Sequence, residues 1–366
     1  MKELIPDEYL DVLTGHKIAI YRKGNPDGAK VIYCHGGPGG RITESAFSFF
    51  DLYRFDVYAF DQRGCGKSLP FASVENNDIN YLVEDIERIR KHYKLDKINL
   101  FGGSFGTTLA LSYAIKYPQN VSAMTLRGIF LGRKSDIDWL YQEGASYYYP
   151  ENFDKYRHML PIEKQNDIVA GYEEIFQSNN QDLIEKAATA WANWEMGLVR
   201  LNPNSVNFGL KPKAEDISLS RLECHYFASG LGWNDDNYIL NNVDKIKDIK
   251  ITIVHGRYDI DCRPSGAYEL ASKLNNYELV FTLAGHGADD LDYRKALIDA
   301  ANNMLEEGSF HHRHIDHQLF VDIKNKKINE FKIAIKVNDY IIFTDNDTLV
   351  EYKVKIKEIK DGVAIF

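Results

Sequence analysis

Cysteine is scarce in this sequence, and long apolar runs are absent. The four cysteines, Cys34, Cys65, Cys224 and Cys262, are scattered through 366 residues, and no two stand in a C-x-x-C spacing. That argues against a zinc site or a disulfide framework and fits a reducing compartment. No stretch reaches the roughly 18–20 apolar residues of a membrane span. The opening residues Met1-Lys2-Glu3-Leu4-Ile5-Pro6-Asp7-Glu8 lack the apolar centre of a signal peptide. The expectation is a cytoplasmic protein with no membrane partner. Positive charge is in deficit, with a net charge of −9, so a general affinity for nucleic acid is not expected. No internal repeat is visible. The remainder is ordinary for a soluble globular chain: 44% hydrophobic and 27% charged residues. The length implies one large domain or two ordinary ones, enough to bury a sizeable core.

Gly102-Gly103-Ser104-Phe105-Gly106 stands out. An apolar run, Lys97-Ile98-Asn99-Leu100-Phe101, precedes it, and a helical stretch to Tyr117 follows, stopped by Pro118. Strand, G-x-S-x-G, helix is the context of a nucleophile elbow, in which a tight turn exposes the serine hydroxyl. Glycines flank the serine where a Cβ would strike the neighbouring backbone. The N–H of Phe105 is then aimed where an oxyanion would form. The strand Lys30–Cys34 runs into His35-Gly36-Gly37-Pro38-Gly39-Gly40, and the N–H of Gly37 is expected as the second oxyanion donor. His35 is read as a brace of that loop rather than a base. Gly64, Gly66, Lys67 and Ser68 imitate the end of a phosphate loop, but the spacing from a first glycine is missing.

Downstream the strand Ile251–His255 is followed by Gly256-Arg257-Tyr258-Asp259, and the strand Glu278–Leu283 by Ala284-Gly285-His286. The order Ser104, Asp259, His286 is that of α/β-hydrolases. His286 would take the Ser104 proton, and Asp259 would fix the imidazole. Asp261 is a rival for the acid, lying beyond the strand–loop junction. Between residues 132 and 248 the periodicity turns helical and aromatic residues crowd in, including Trp139, Tyr141, Trp191 and Trp194. Such an insertion reads as a cap over the site. The predicted fold is therefore α/β: a hydrolase domain over 1–131 and 249–308, a helical cap over 132–248, and a small β-rich extension over 309–366.

His35-Gly36-Gly37-Pro38-Gly39, Asp61-Gln62-Arg63-Gly64-Cys65-Gly66, the elbow with its helix, and Leu126-Arg127-Gly128-Ile129-Phe130 together resemble the prolyl aminopeptidase (proline iminopeptidase) family of α/β-hydrolases. The likeness extends into the cap, through Trp139, Tyr141-Gln142-Glu143-Gly144-Ala145-Ser146, Trp194-Glu195, and Arg221-Leu222-Glu223 with His225-Tyr226-Phe227. It covers roughly residues 1–308. It implies a serine exopeptidase acting on peptides with a free N-terminal proline, without metal or other cofactor. It implies that Glu195 and Glu223 hold the substrate's amino group, and that Phe130, Phe227 and Cys262 line the proline pocket with Arg127 nearby. Without the resemblance, two solvated glutamates on helix faces would be the simpler reading. The chain departs from the family pattern at Phe105, where tryptophan is usual, and at Leu140, where some members place a pocket aromatic. An esterase or lactonase of the same fold, or a non-catalytic binding protein on a hydrolase scaffold, are the alternatives.

The extension opens with His311-His312-Arg313-His314 and His317, which read as a linker, and then turns strand-like. Residues 319–344 loosely resemble the small β-barrel of ASCH (PUA-like) domains, modules associated with RNA.

Overall fold

A computed structural model describes residues 4–199, 211–288, 290–305, 313–316, 340–344, 351–355, 358–360 and 363–365. Its centre is a nine-stranded sheet. The strands are β1 (Glu8–Asp11), β2 (Lys17–Gly24), β3 (Ala29–Cys34), β4 (Phe55–Phe60), β5 (Ile98–Gly103), β6 (Val121–Arg127), β7 (Lys250–Gly256), β8 (Tyr277–Thr282) and β9 (Arg313–Asp316). Their order is β1-β2-β4-β3-β5-β6-β7-β8-β9. The hairpin β1–β2 runs antiparallel against β4, and β4 through β9 are parallel.

Alternation along the strands explains the layering. Ile18, Ile20, Ile32, Tyr58 and Leu100 point to one buried cluster, while Ala19, Tyr21, Val31, Val57 and Phe101 point to another. A parallel strand buried on both faces reads as a continuous apolar run, and every residue of β4 and β5 is buried. Helix α1 (Ile79–His92) turns Leu82, Val83, Ile86 and Ile89 to the first face and starts at Asp78, whose side chain accepts from the N–H groups of Asn80 and Tyr81. Helix α2 (Phe105–Lys116) is buried over most of its length on the same face.

Between β6 and β7 the chain leaves the sheet, and its described residues there form the α-helices α3 (Lys134–Tyr141), α4 (Pro150–Arg157), α5 (Ile168–Phe176), α6 (Gln181–Leu198), α7 (Ala214–Ala228) and the short α8 (Tyr238–Asn241). An aromatic core holds them: Tyr156 stacks on Tyr172 at 4.8 Å between ring centroids, and Tyr141 on Trp191 at 4.4 Å. Most of the aromatic crowding is thus packing, as a stripe of large rings usually is. After β7 comes α9 (Pro264–Ala271), and α10 (Leu291–Asn303) closes the second face with Tyr293, Leu297 and Ala300.

The compact unit runs to His317, and residues 318–366 form a second one. The boundary expected at 308/309 therefore moves: β9, assigned to the extension from sequence, pairs with β8 in the main sheet. Within the second unit, β10 (Tyr340–Thr344) pairs with β11 (Glu351–Lys355), and β12 (Glu358–Lys360) with β13 (Val363–Ile365), both antiparallel. The rest of the 319–344 stretch, and His311, His312 and His317, lie outside the described residues. The described strands of this unit, two separate two-stranded pairs, lend no support to the ASCH-like barrel. Because Ser104, Asp259 and His286 all precede His317, a chain ending there is expected to keep whatever activity these residues support. One ending at Gly308 also loses the edge strand β9 and should melt lower. Thermal melts and specific activities of the two truncations check this.

Candidate active site

Ser104 sits between β5 and α2 with φ 58° and ψ −129°. For a residue with a Cβ this backbone costs about 1–3 kcal/mol, a strain that recurs at functional turns. The surrounding glycines are sterically required. A Cβ on Gly102 would lie 2.4 Å from the carbonyl oxygen of Gly106, and one on Gly106 would lie 2.2 Å from that of Cys34. The Ser104 N–H donates to the Arg127 carbonyl at 2.9 Å, and its own carbonyl accepts from the N–H and hydroxyl of Thr107. Phe105 is the first helical residue, so its N–H has no partner within the helix. The 36–40 loop lies against the elbow, since a Cβ on Gly36 would come 3.1 Å from the Ser104 Cβ. Gly37 has φ +114°, and a Cβ there would lie 2.6 Å from the Gly39 nitrogen.

His35 braces this loop. Its Nε2 accepts from the Gln62 N–H at 3.0 Å, which leaves Nδ1–H to donate to the Gly36 carbonyl at 2.7 Å. Burial pushes its pKa down, which suits a neutral ring. The loop that imitates a phosphate site carries its own anion. Asp61 accepts from the N–H of Lys67 and Ile42 and from the Tyr21 hydroxyl.

Asp259 and His286 follow β7 and β8 and meet at 2.8 Å, Asp259 Oδ2 accepting from His286 Nδ1. The other Asp259 oxygen accepts from the Cys262 N–H at 2.8 Å. Burial by itself would raise the Asp259 pKa, but contact with His286 outweighs it and the carboxyl is held low. Burial would lower His286, and the charges of Asp259 and Asp261 outweigh that and raise it. His255, the strand-end histidine, locks the acid loop: Nδ1 accepts from the Ile129 N–H at 3.1 Å, and Nε2 contacts the Cys262 carbonyl at 2.8 Å. Arg127 donates to the His286 carbonyl at 2.9 Å. It supports the base loop from behind. No hydrogen bond joins Ser104 to His286. The free His286 Nε2 instead faces Asp261 Oδ2 at 3.9 Å. Catalytic hydrogen bonds are often long in unliganded sites and tighten on substrate.

Above the elbow, α3, α6 and α7 bring Tyr141, Glu195 and Glu223 together. The Tyr141 hydroxyl oxygen lies 2.8 Å from Glu195 Oε2 and 3.1 Å from Glu223 Oε2. Trp191, one helical turn before Glu195, donates its indole N–H to Glu223 at 2.7 Å. Both glutamates are buried, and among the described residues neither has an ion-pair partner. Burial raises both carboxyls well above the ordinary range, and the nearby Asp261 raises them further. Phe130 and Phe227 meet edge to face at 5.7 Å, and Phe227 lies 5.4 Å from Tyr141. Cys262 contacts Asp261 through its thiol at 3.5 Å. The six residues expected around a substrate thus divide. Five gather on the cap side of the acid loop, while Arg127 holds the histidine. Sequence reasoning assigned no role to Tyr141 or Trp191; the signal for Trp191 was its i, i+4 spacing from Glu195 on a helix.

The sequence matches the family model described as the alpha/beta hydrolase fold over residues 30–289. A proline iminopeptidase of Arabidopsis thaliana is 40% identical over 301 residues, covering 81% of this chain and 78% of the relative. The proline iminopeptidase of Neisseria gonorrhoeae is 38% identical over 307 residues, 83% of this chain and 98% of the relative. This chain belongs to the proline iminopeptidase family of α/β hydrolases. Among solved structures, an esterase from Exiguobacterium antarcticum superposes with a TM-score of 0.51 at 20% identity over 81% of this chain and 99% of that one, a likeness of fold alone. No described helix is long and apolar enough to cross a membrane.

Membership of the proline iminopeptidase family gives the departure at Phe105 a physical reading: its ring packs edge-on against Tyr226 of α7, 5.4 Å between centroids. The smaller aromatic still ties elbow to cap. Leu140 is buried, and its carbonyl accepts from the Trp194 indole at 2.9 Å, so that position serves cap packing.

Proposed function

We propose that this protein is a serine exopeptidase that releases N-terminal proline. The observation that carries the reading is the pair of buried glutamates, which have no cationic partner among the described residues. Leaving carboxylates buried and unpaired is costly, and a substrate ammonium is the missing charge. His286 takes the Ser104 hydroxyl proton as Oγ attacks the carbonyl of the first residue. The oxyanion forms against the N–H groups of Phe105 and Gly37. Collapse of the tetrahedral intermediate breaks the peptide bond, with His286 giving its proton to the departing amine. Water then repeats the sequence on the acyl-enzyme and frees proline. Asp259 holds the ring and stabilises the imidazolium. The proline ring would lie among Phe130, Phe227 and Cys262.

The deciding experiment compares proline arylamide, N-acetyl-proline arylamide and short acyl esters. Hydrolysis of the free-amine substrate alone among the amides supports the reading. Equal rates on free and acetylated amides would move the protein to the esterase alternative.

The cysteines offer a second check. All four are buried, and burial raises each thiol pKa, so thiol reagents should react slowly at neutral pH. Cys262 borders the proposed pocket. Inactivation by a bulky maleimide is expected to be slow, to quicken with pH, to be slowed by free proline, and to be lost in Cys262→Ser with turnover retained. Unchanged inactivation of that variant would place the modified thiol elsewhere.

A further inference from the structure

Asp261 has no part in the mechanism above, yet it stands at its centre. It is 4% exposed, and its Oδ2 has no hydrogen-bond partner. That oxygen lies 3.9 Å from His286 Nε2, the nitrogen that must accept the Ser104 proton. On its other side the carboxyl lies near Glu195 and Glu223, whose proton affinity its charge raises. The groups around it are His286, Asp259, Cys262, Glu195 and Glu223; those acting on His286 are Asp259, Asp261, Arg127 and His255.

We propose that Asp261 is a positioning residue that couples occupancy of the amine site to the catalytic base, holding His286 Nε2 away from Ser104 until a substrate ammonium engages Glu195 and Glu223. The inference rests on the reading that these two glutamates receive the amine. A carboxylate facing Nε2 favours the imidazolium, and an imidazolium cannot take a proton from serine. The structure has the corresponding geometry, with Nε2 towards Asp261 and no hydrogen bond to Ser104. A bound ammonium supplies the cation that Asp261 otherwise finds in the ring. It draws the carboxylate towards the amine, lowers the proton affinity of His286 by like-charge repulsion, and leaves Nε2 free for the hydroxyl. The proton leaves to solvent. A secondary ammonium has two N–H groups, so the third carboxyl acts by charge and proximity. The enzyme is therefore slow on acyl groups that lack an amine, even where they fit the pocket.

The test reads Ser104 directly, through the rate of its covalent labelling by a small uncharged fluorophosphonate between about pH 5 and 9, with and without pyrrolidinium as the amine probe. Wild-type protein should label slowly below the pH at which His286 loses its proton. Pyrrolidinium should move that limb to lower pH and speed labelling several-fold near pH 6, close to the ordinary histidine range of about 6.5. In Asp261→Asn the limb should already lie low, pyrrolidinium should no longer move it, and KM for proline arylamide should rise, because the amine loses a nearby carboxylate, with kcat largely kept. Asp261→Glu should restore the response. A wild-type limb indifferent to pyrrolidinium overturns the proposal whether or not the variants fold. So does a folded Asp261→Asn that loses activity on every substrate in proportion with its limb unmoved, the result of a merely structural role. If labelling responds but proline arylamide is not cleaved, the peptidase reading falls and the coupling stands. If arylamide is cleaved and labelling is indifferent, the reverse holds.

Discussion

Ser104→Ala is expected to lose about 10⁴-fold or more in kcat on proline arylamide, the usual consequence of removing a triad nucleophile. The loss is chemical and not conformational. Ser104 is held by its backbone, through the N–H to Arg127 and the carbonyl to Thr107, and alanine keeps both contacts. The left-handed backbone at φ 58° strains alanine much as it strains serine, so the melting temperature should stay within a few degrees. KM should change little, because the glutamates, the phenyl rings and the oxyanion donors are all untouched. A variant with near-normal kcat would remove the serine mechanism. A variant that no longer folds would mean that the hydroxyl itself holds the turn, against the contacts described above.

The second large effect concerns the amine site. N-acetyl-proline arylamide should not be turned over, because acetylation removes the charge and both N–H donors and leaves Glu195 and Glu223 uncompensated. Glu195→Gln and Glu223→Gln should each lower kcat/KM for free-amine substrates by about 2–5 kcal/mol, the range for truncating one partner of a buried charge pair. Stability should move the other way. Burial raises both carboxyls in the folded state, so the folded protein binds more protons than the unfolded chain above the ordinary carboxyl range. Stability from these groups is then greatest at acid pH and is lost as pH rises through their raised pKa values, for Glu223 about 8. Glutamine carries no such penalty. Each variant should be more stable than the wild type at pH 8, by about 1–4 kcal/mol if it behaves like other buried charges replaced by neutral groups, and closer to it at pH 5. Denaturant melts at the two pH values read this directly. Wild-type kinetics in both variants would end the amine-site account.

Much of this was legible because local signals carried it. Gly102, Ser104 and Gly106 name the elbow by steric need alone, and the alternating or continuous apolar runs of β3, β4, β5, β7 and β8 place it in a parallel sheet. Asp259 and His286 followed from strand ends, since a residue just past a parallel strand emerges on the same edge as the elbow. The cap was visible as a change of period, but its interior was not. Nothing in spacing tells that Tyr141 on α3 reaches Glu195 on α6 and Glu223 on α7, because contacts between helices of one bundle depend on crossing geometry. The two glutamates came only from family resemblance. Asp261 was weighed as a competitor for Asp259 because spacing offered both as acids. The structure gives them different faces of the imidazole, Nδ1 for one and Nε2 for the other. The strand β9 was assigned to the wrong unit because a short polar strand with histidines has no apolar signature to mark it as a sheet edge.

The pairing of β6 with β7 joins Ala123 to Lys250 and Arg127 to Val254 across the whole inserted cap. Closing so long a loop costs only slightly more entropy than closing a moderate one, since the cost grows with the logarithm of length, but contacts this distant in sequence slow folding. On the ribosome the order matters. The strands β1 to β6, with the elbow, emerge first, and the strands bearing Asp259 and His286 follow only after the cap has been made. Throughout that interval Ser104 is an ordinary alcohol without a base, so the nascent chain passes through most of its synthesis unable to cut the peptides around it.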